Sequence, residues 1–429
     1  MTNQPVEFFN TVVIGGGPAG MMAAIKASEG GNSVCIVEKN DRLGKKLRIT
    51  GKGRCNVTND CKFEELLENI PENGKFLYSS FSRFSNKDII NYFNDRGCPT
   101  VTERGKRVFP ASFKSVDIVN VLKKDIEKQK IKIFYGADTE KILTEENHIS
   151  GVSLKDGRKF RCENIVIATG GMSYPLTGST GDGYRFAKEL GHTVTDLKPA
   201  LIRLVSNDKS IRSLAGLTLK NISVVFSNDC AKQSKNSIIY DDFGELLFTG
   251  DGISGPVVLS ASSHLLKYDY NNITAHIDLK PALTVEKLNE RVSRDFYESS
   301  RKQFKNSLSG LLPKAMIDPI VERSGISPEK FVNQITKEER SKLVDVLKDF
   351  TVKITGSGPM DEAIVTSGGV KINEIDPRTM ESKLCKNLYF AGEIIDVAGY
   401  TGGFNLTIAF STGYTAGCAI KEKRQKYET

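Results

Sequence analysis

The sequence predicts an α/β fold whose parallel sheet draws on both ends of the chain, interrupted by a β unit and then a helical unit. Three observations predict it. Residues 11–38 run strand, tight turn, helix, strand. Composition changes near Asp196 to short alternating strands and at Thr284 to long charged helical stretches. Residues 388–420 return to strand, glycine-rich turn and helix.

The elements follow in order. Thr11 to Ile14 is a β-branched run, Gly15 to Gly17 a turn, and Pro18 stands where a helix starts. Met21, Met22, Ala24 and Ile25 give that helix an apolar side. Gly30-Gly31 ends it, and Ser33 to Val37 is a second strand closing on Glu38. Such a βαβ crossover implies parallel strands. Asn86 to Arg96 and Ser115 to Gln129 read as amphipathic helices, Ile131 to Tyr135 as a strand, and 140–162 as a hairpin about Asp156-Gly157. Asn164 to Ala168 is an apolar strand stopping at Thr169-Gly170-Gly171. Beyond Asp196, turns are expected at 227–229 and at Asp242-Phe243-Gly244. Ser327-Pro328 is expected to open one helix, and Thr336 with Glu339 forms a capping box for another.

Composition narrows the class. The chain has 429 residues, a net charge of +8 and 39% hydrophobic residues, enough for two or three cored domains. No apolar run approaches the roughly 18 residues of a membrane span, and MTNQPVEFF lacks the order of a secretion signal. A cytoplasmic protein without membrane partners is the expectation. Eight cysteines make no CxxC pair, and the four histidines are far apart, so no metal site is expected and no catalytic residue is assigned. No pattern bears on oligomeric state.

The chemistry lies in glycine motifs. GGGPAG at 15–20 fits G-x-G-x-x-G after a strand and at a helix start, and Glu38 follows eighteen residues after Gly20. The first glycine permits the turn, the second lets a pyrophosphate approach, and the third lets helix and strand pack. The helix N-terminus offers N–H groups to phosphate, and the acid accepts from a ribose. That motif alone leaves FAD and NAD open. IVIATGG (165–171) and LYFAGEIIDVAGYTGGFN (388–405) add two further close-approach segments, which favour an extended FAD. The absence of a second G-x-G-x-x-G means that any NAD(P)H docks without its own Rossmann domain.

With the loop GKKLRITGKGRCNVTN (44–59), ATGGMSYPLTGSTGDGY (168–184) and FTGDGISGP (248–256), these blocks resemble one bacterial flavoprotein family of NAD(P)/FAD-dependent oxidoreductases. It includes the 3-dehydro-bile-acid reductase-like (BaiN-like) proteins and the aminoacetone oxidases, and the likeness covers nearly the whole chain. The resemblance implies a glutathione-reductase-type FAD domain over 1–195 and 373–429. It also implies an inserted β-barrel-like domain over 196–283 and 351–372, and a small helical domain over 284–350.

Carried over by position, the cofactor contacts would be Gly15, Gly17, Pro18, Ala19, Gly20, Glu38, Lys39, Lys45 and Lys46. To these the resemblance adds Gly51, Arg54, Cys55 and Asn56, then Ala168, Thr169 and Gly170, and finally Gly392, Glu393, Gly403, Phe404 and Asn405. Many members have a His in the FT-x-x-GISGP block, where this chain has Gly250-Asp251. Cys55, without a CxxC partner, is read as inert. Of the basic loop, Lys45 and Arg54 are expected to neutralise cofactor phosphate, while Arg104, Lys106 and Arg107 read as a charged hairpin turn.

The expected activity is NAD(P)H-driven hydride transfer through non-covalent FAD to an electron-poor C=C of a small-molecule, enone-type substrate. The alternative is an amine oxidase that passes electrons to O2. A flavin-containing nucleic-acid binder is disfavoured, because net charge speaks to association and not to site chemistry.

Overall fold

The computed structural model describes residues 6–231 and 237–428. Contacts divide the chain into two units, 1–199 with 360–429, and 200–359. Residues 360–372, grouped from sequence with the inserted β unit, fall in the first unit, where Val365–Ser367 and the bridge at Val370 join them to its loops.

The first unit is built on a seven-stranded sheet. Its parallel part runs Lys132–Tyr135, β2 (Val34–Glu38), β1 (Glu7–Ile14), Lys159–Ile167 and Leu388–Phe390. Strand Lys159–Ile167 pairs with β1 along its length, with the antiparallel strand His148–Leu154 at its start, and with Leu388–Phe390 at its end. The expected single hairpin over 140–162 is therefore a meander of Thr139–Glu145, His148–Leu154 and Lys159–Ile167. Parallel order with β1 in the middle leaves a crevice at the carboxyl ends of the strands, where such sheets bind ligands.

Helix α1 (Pro18–Ser28) follows the glycine turn and is buried along most of its length. The last helix, Phe404–Glu428, lies on it closely because two of its positions carry no side chain. A Cβ at Gly413 would sit 2.2 Å from the Ala19 carbonyl oxygen, and one at Gly417 2.5 Å from that of Ala23. Both ends of the chain thus share one core, with Val12, Ile36, Ile167 and Phe390 fully buried beside Phe410.

The second unit holds an antiparallel sheet in the order Phe350–Ile354, Ile273–Asp278, Thr218–Asn228, Ile238–Thr249, Gly252–Ser254, Leu204–Val205, Gly356–Ser357. Its two outer strands are consecutive in the chain, as in a sheet curling toward a barrel. Helices Val285–Glu298, Lys314–Ser324 and Lys337–Lys348 share the sheet's core. Asp242-Phe243-Gly244 is not a turn: Ile238–Thr249 runs through it, with a register shift opposite Leu219 to Ile222. No helix starts at Ser327; the preceding helix stops at left-handed Gly325, and 327–330 is a turn. Thr336 and Glu339 do form a capping box. Thr336→Ala should lower stability by about 1 kcal/mol, read from the urea midpoint at unchanged slope.

Candidate functional site

The carboxyl ends of four parallel strands meet at one elongated cavity. After β1 the chain turns at Gly15, whose φ of +103° belongs to glycine; a Cβ there would lie 2.5 Å from the Ala168 carbonyl oxygen. Gly20 has the packing role, since its Cβ would fall 1.9 Å from the Gly15 oxygen. Gly17 differs: a Cβ there meets nothing within 4 Å, and the position faces the cavity. Gly392, left-handed at +80°, would bring a Cβ to 2.9 Å from Ala19, and its N–H donates to Thr412 Oγ1 at 2.9 Å. Residues 388–405 therefore lie beside the opening glycine turn.

At one end stands Glu38, buried at 7% exposure. Its Oε2 accepts from the Gly16 N–H at 2.7 Å, and its Oε1 from the backbone and side-chain nitrogens of Asn40 at 2.8 and 2.7 Å. Oε1 is thereby filled, and Oε2 keeps acceptor capacity for a further donor. Farther along, Glu393 is held by Lys46 Nζ at 2.9 and 3.1 Å, Ser173 Oγ at 3.1 Å and the Thr366 N–H at 2.9 Å. Burial pushes its carboxyl up, but the Lys46 charge and these donors hold it below the usual carboxylate range. Lys46 spends its remaining proton on Ser173 at 2.6 Å.

Of the residues expected at the cofactor, Gly15, Gly17, Pro18, Ala19, Glu38, Lys39, Lys45, Lys46, Ala168, Thr169, Gly170, Gly392, Glu393 and Asn405 line this cavity. The structure does not bring Gly20, Gly51, Arg54, Cys55, Asn56, Gly403 or Phe404 onto its wall. Arg54 instead lies over the Phe109 ring at 4.3 Å and pairs with Glu103 at 3.0 Å. Cys55 is fully buried, and burial pushes its thiol up to about 12, as an inert cysteine requires. Gly403 packs on the backbone of Thr58, and Phe404 is buried. The Asn405 side chain staples the glycine loop, accepting from the Gly399 N–H and donating to the carbonyls of Gly399 and Tyr400.

The wall also holds residues that no motif marked: Asn40, Thr139, Thr177 and Asp182. Thr177 and Asp182 lie within the glycine-rich 168–184 block, which marked the segment but not these side chains; Thr139 had no such signal, and only adjacency to Glu38 could have drawn attention to Asn40. Two wall hydroxyls, Thr139 Oγ1 and Thr169 Oγ1, are buried without a hydrogen-bond partner. Orphaned buried polar atoms are costly, so a polar ligand in the cavity is what they fit. A buried acid at one end, an open glycine position over a helix N-terminus and orphaned hydroxyls along the wall match the donor and acceptor needs of a dinucleotide.

Comparisons with known proteins agree. The family described as HI0933-like protein Rossmann domain matches residues 9–419. The 3-dehydro-bile acid delta(4,6)-reductase of Clostridium scindens is 29% identical over 96% of this chain and 98% of its own length. A ribosomal RNA dihydrouridine synthase of Haemophilus influenzae is 30% identical over 98% of this chain and 100% of its own. Among solved structures, an E. coli quinol fumarate reductase FrdA aligns with a TM-score of 0.53 at 15% identity, over 99% of this chain and 72% of that one. The 3-ketosteroid delta1-dehydrogenase of Sterolibacterium denitrificans aligns at 0.51 and 12% identity, over 97% and 100%. These distant structures bear on fold alone. The chain belongs to the HI0933-like Rossmann family, and it is an enzyme of the FAD-dependent oxidoreductase class.

Proposed function

We propose that this enzyme reduces an electron-poor C=C bond, holding FAD non-covalently and taking electrons from NAD(P)H as a transient donor. The observation that carries the reading is the single cavity reaching from Glu38 to Asn405, walled by both ends of the chain. Its wall, among the described residues, contains no His, Cys or Tyr side chain to which a flavin could be attached. When bound, the flavin supplies two-electron chemistry, accepting from a nicotinamide and delivering to the carbon β to a carbonyl. Glu38 would accept from the adenosine ribose, and the amino end of α1, across the open Gly17 position, would hold the pyrophosphate. Glu393, kept ionised by Lys46, would offer its Oε2 to a hydroxyl of the ribityl chain.

A second reading of the substrate is favoured by the dihydrouridine synthase relatives, which align over their whole lengths or nearly so. The uracil C5=C6 bond is conjugated to a carbonyl, so its reduction is the same chemistry on a larger molecule. A net charge of +8 would assist approach to RNA. One anaerobic experiment tests both readings. NADH or NADPH should bleach the flavin absorbance, and either an enone or unmodified ribosomal RNA should restore it, the RNA gaining two hydrogens per modified nucleoside by mass. Bleaching by primary amines and not by nicotinamides, with peroxide formed on admitting air, would overturn the reductase reading for the amine oxidase.

A further inference from the structure

The loop leaving strand Lys159–Ile167 does not end at its glycines. It crosses the acid end of the cavity and returns into helix Asp182–Glu189, a path that takes Gly170, Tyr174, Gly178 and Gly181 through left-handed backbone. It is tied to the residues just after Glu38 by two sets of bonds. Lys39 Nζ donates to Thr180 Oγ1 and to Asp182 Oδ2, each at 2.5 Å, and Thr180 donates to the same carboxylate oxygen at 2.7 Å. Asn40 Nδ2, already donating to Glu38, also donates to the Thr177 carbonyl at 3.0 Å. The approach is close: a Cβ at Gly178 would stand 2.5 Å from Asn40 Nδ2. Residues on both sides of these bonds line the same cavity.

We infer that Lys39 and Asn40 are positioning residues that latch the 177–182 loop over the ribose end of the cavity, so that bound FAD leaves only when this latch opens. The inference rests on the cofactor reading above. One amide, Asn40, both orients the acid and holds the loop, so closing the loop and fixing the acid are one event. The Lys39–Asp182 pair keeps 26% and 30% of its side-chain surface exposed, so salt reaches it. Wild-type release should therefore accelerate with ionic strength.

The test follows FAD fluorescence as holoenzyme is placed in flavin-free buffer with continuous removal of released cofactor. Lys39→Met and Asp182→Asn should each speed release about tenfold, and the double variant no more than either alone, since both remove one contact. Salt should accelerate wild-type release and leave both variants indifferent. Lys39→Arg should restore slow, salt-sensitive release, which a general loss of structure would not permit. Should Asp182→Asn fail to fold, Thr180→Ala takes its place, with a smaller acceleration. Hydrogen exchange across 175–182 in the Lys39→Met holoenzyme should rise above wild type. Release rates equal to wild type in these variants, or additive effects in the double variant, would overturn the latch while leaving the cofactor reading intact. A wild-type protein that takes up no FAD would overturn the cofactor reading, and the latch with it.

Discussion

Gly17→Val should abolish FAD retention while the cofactor-free protein melts as the wild type does. The two halves of this expectation have separate causes. Gly17 has φ −77° and ψ −179°, extended backbone that valine adopts freely, and its Cβ would touch no protein atom within 4 Å. The added side chain would instead occupy the space over the helix N-terminus, where the pyrophosphate must approach. A loss of at least about 100-fold in affinity, ~2.7 kcal/mol, is expected from the ratio of flavin to protein absorbance after purification and from titration of the apoprotein. The contrast is Gly20→Val three residues on. Its Cβ would fall 1.9 Å from the Gly15 oxygen, so helix α1 must shift away from the turn, at a cost of about 3 kcal/mol or more in the apoprotein itself. If Gly17→Val retains a full complement of flavin, the glycine turn is not the pyrophosphate site.

Lys46→Met should be the most damaging single change among the charged residues on the cavity wall. It leaves Glu393 with two neutral donors and no counter-charge. The pair's side chains are only 22% and 19% exposed, so the loss is expected near the low end for a broken buried pair, about 3 kcal/mol. The pH dependence identifies the cause. In the wild type the folded carboxyl lies below its ordinary value of 4.5, so between the two values the unfolded chain binds more protons. The pair's contribution is complete above the ordinary value and is lost as pH falls through the folded one. Without Lys46, burial, the largest influence, opposes only the two neutral donors and is expected to raise the folded value, so stability should then decrease as pH rises through the carboxylate range. Urea unfolding of both proteins across that range measures the slope, and Lys46→Met with Glu393→Gln should recover part of the loss. An unchanged sign of the slope would mean that Glu393 is not the group Lys46 serves.

How much of this was legible beforehand depends on the range of the interaction. The β1–α1–β2 unit could be read from sequence because its periods, its turn and its proline lie within 30 residues of one another. The capping box at Thr336 and Glu339 was legible for the same reason, a bond three residues long. The strand–loop–helix of 388–420 was visible as a pattern. Its contact with the first glycine turn was inferred from the need of an extended ligand for a third close approach, and the structure places it there. What sequence could not show was pairing at a distance. Lys46 reads from sequence only as one more cofactor contact, and nothing local shows that its charge serves Glu393 from the far end of the chain. Arg54 reads from sequence as a phosphate contact, and the structure seats it off the cavity wall, against the Phe109 ring and Glu103. Asp242-Phe243-Gly244 has the composition of a turn, yet backbone pairing with Thr218–Asn228 carries the strand straight through it, since exposed strand positions tolerate such residues.

The close seating of Gly413 and Gly417 on α1 has a consequence for the order in which the protein matures. The ribosome releases residues 7–38 early, but the surfaces that cover Ala19 and Ala23 arrive only with the last helix, after the entire second unit has been made. Until then the nascent glycine turn has half a wall and an exposed helix flank. Flavin uptake is accordingly a late step in biogenesis, one that waits on residues 404–417 and cannot guide the earliest folding.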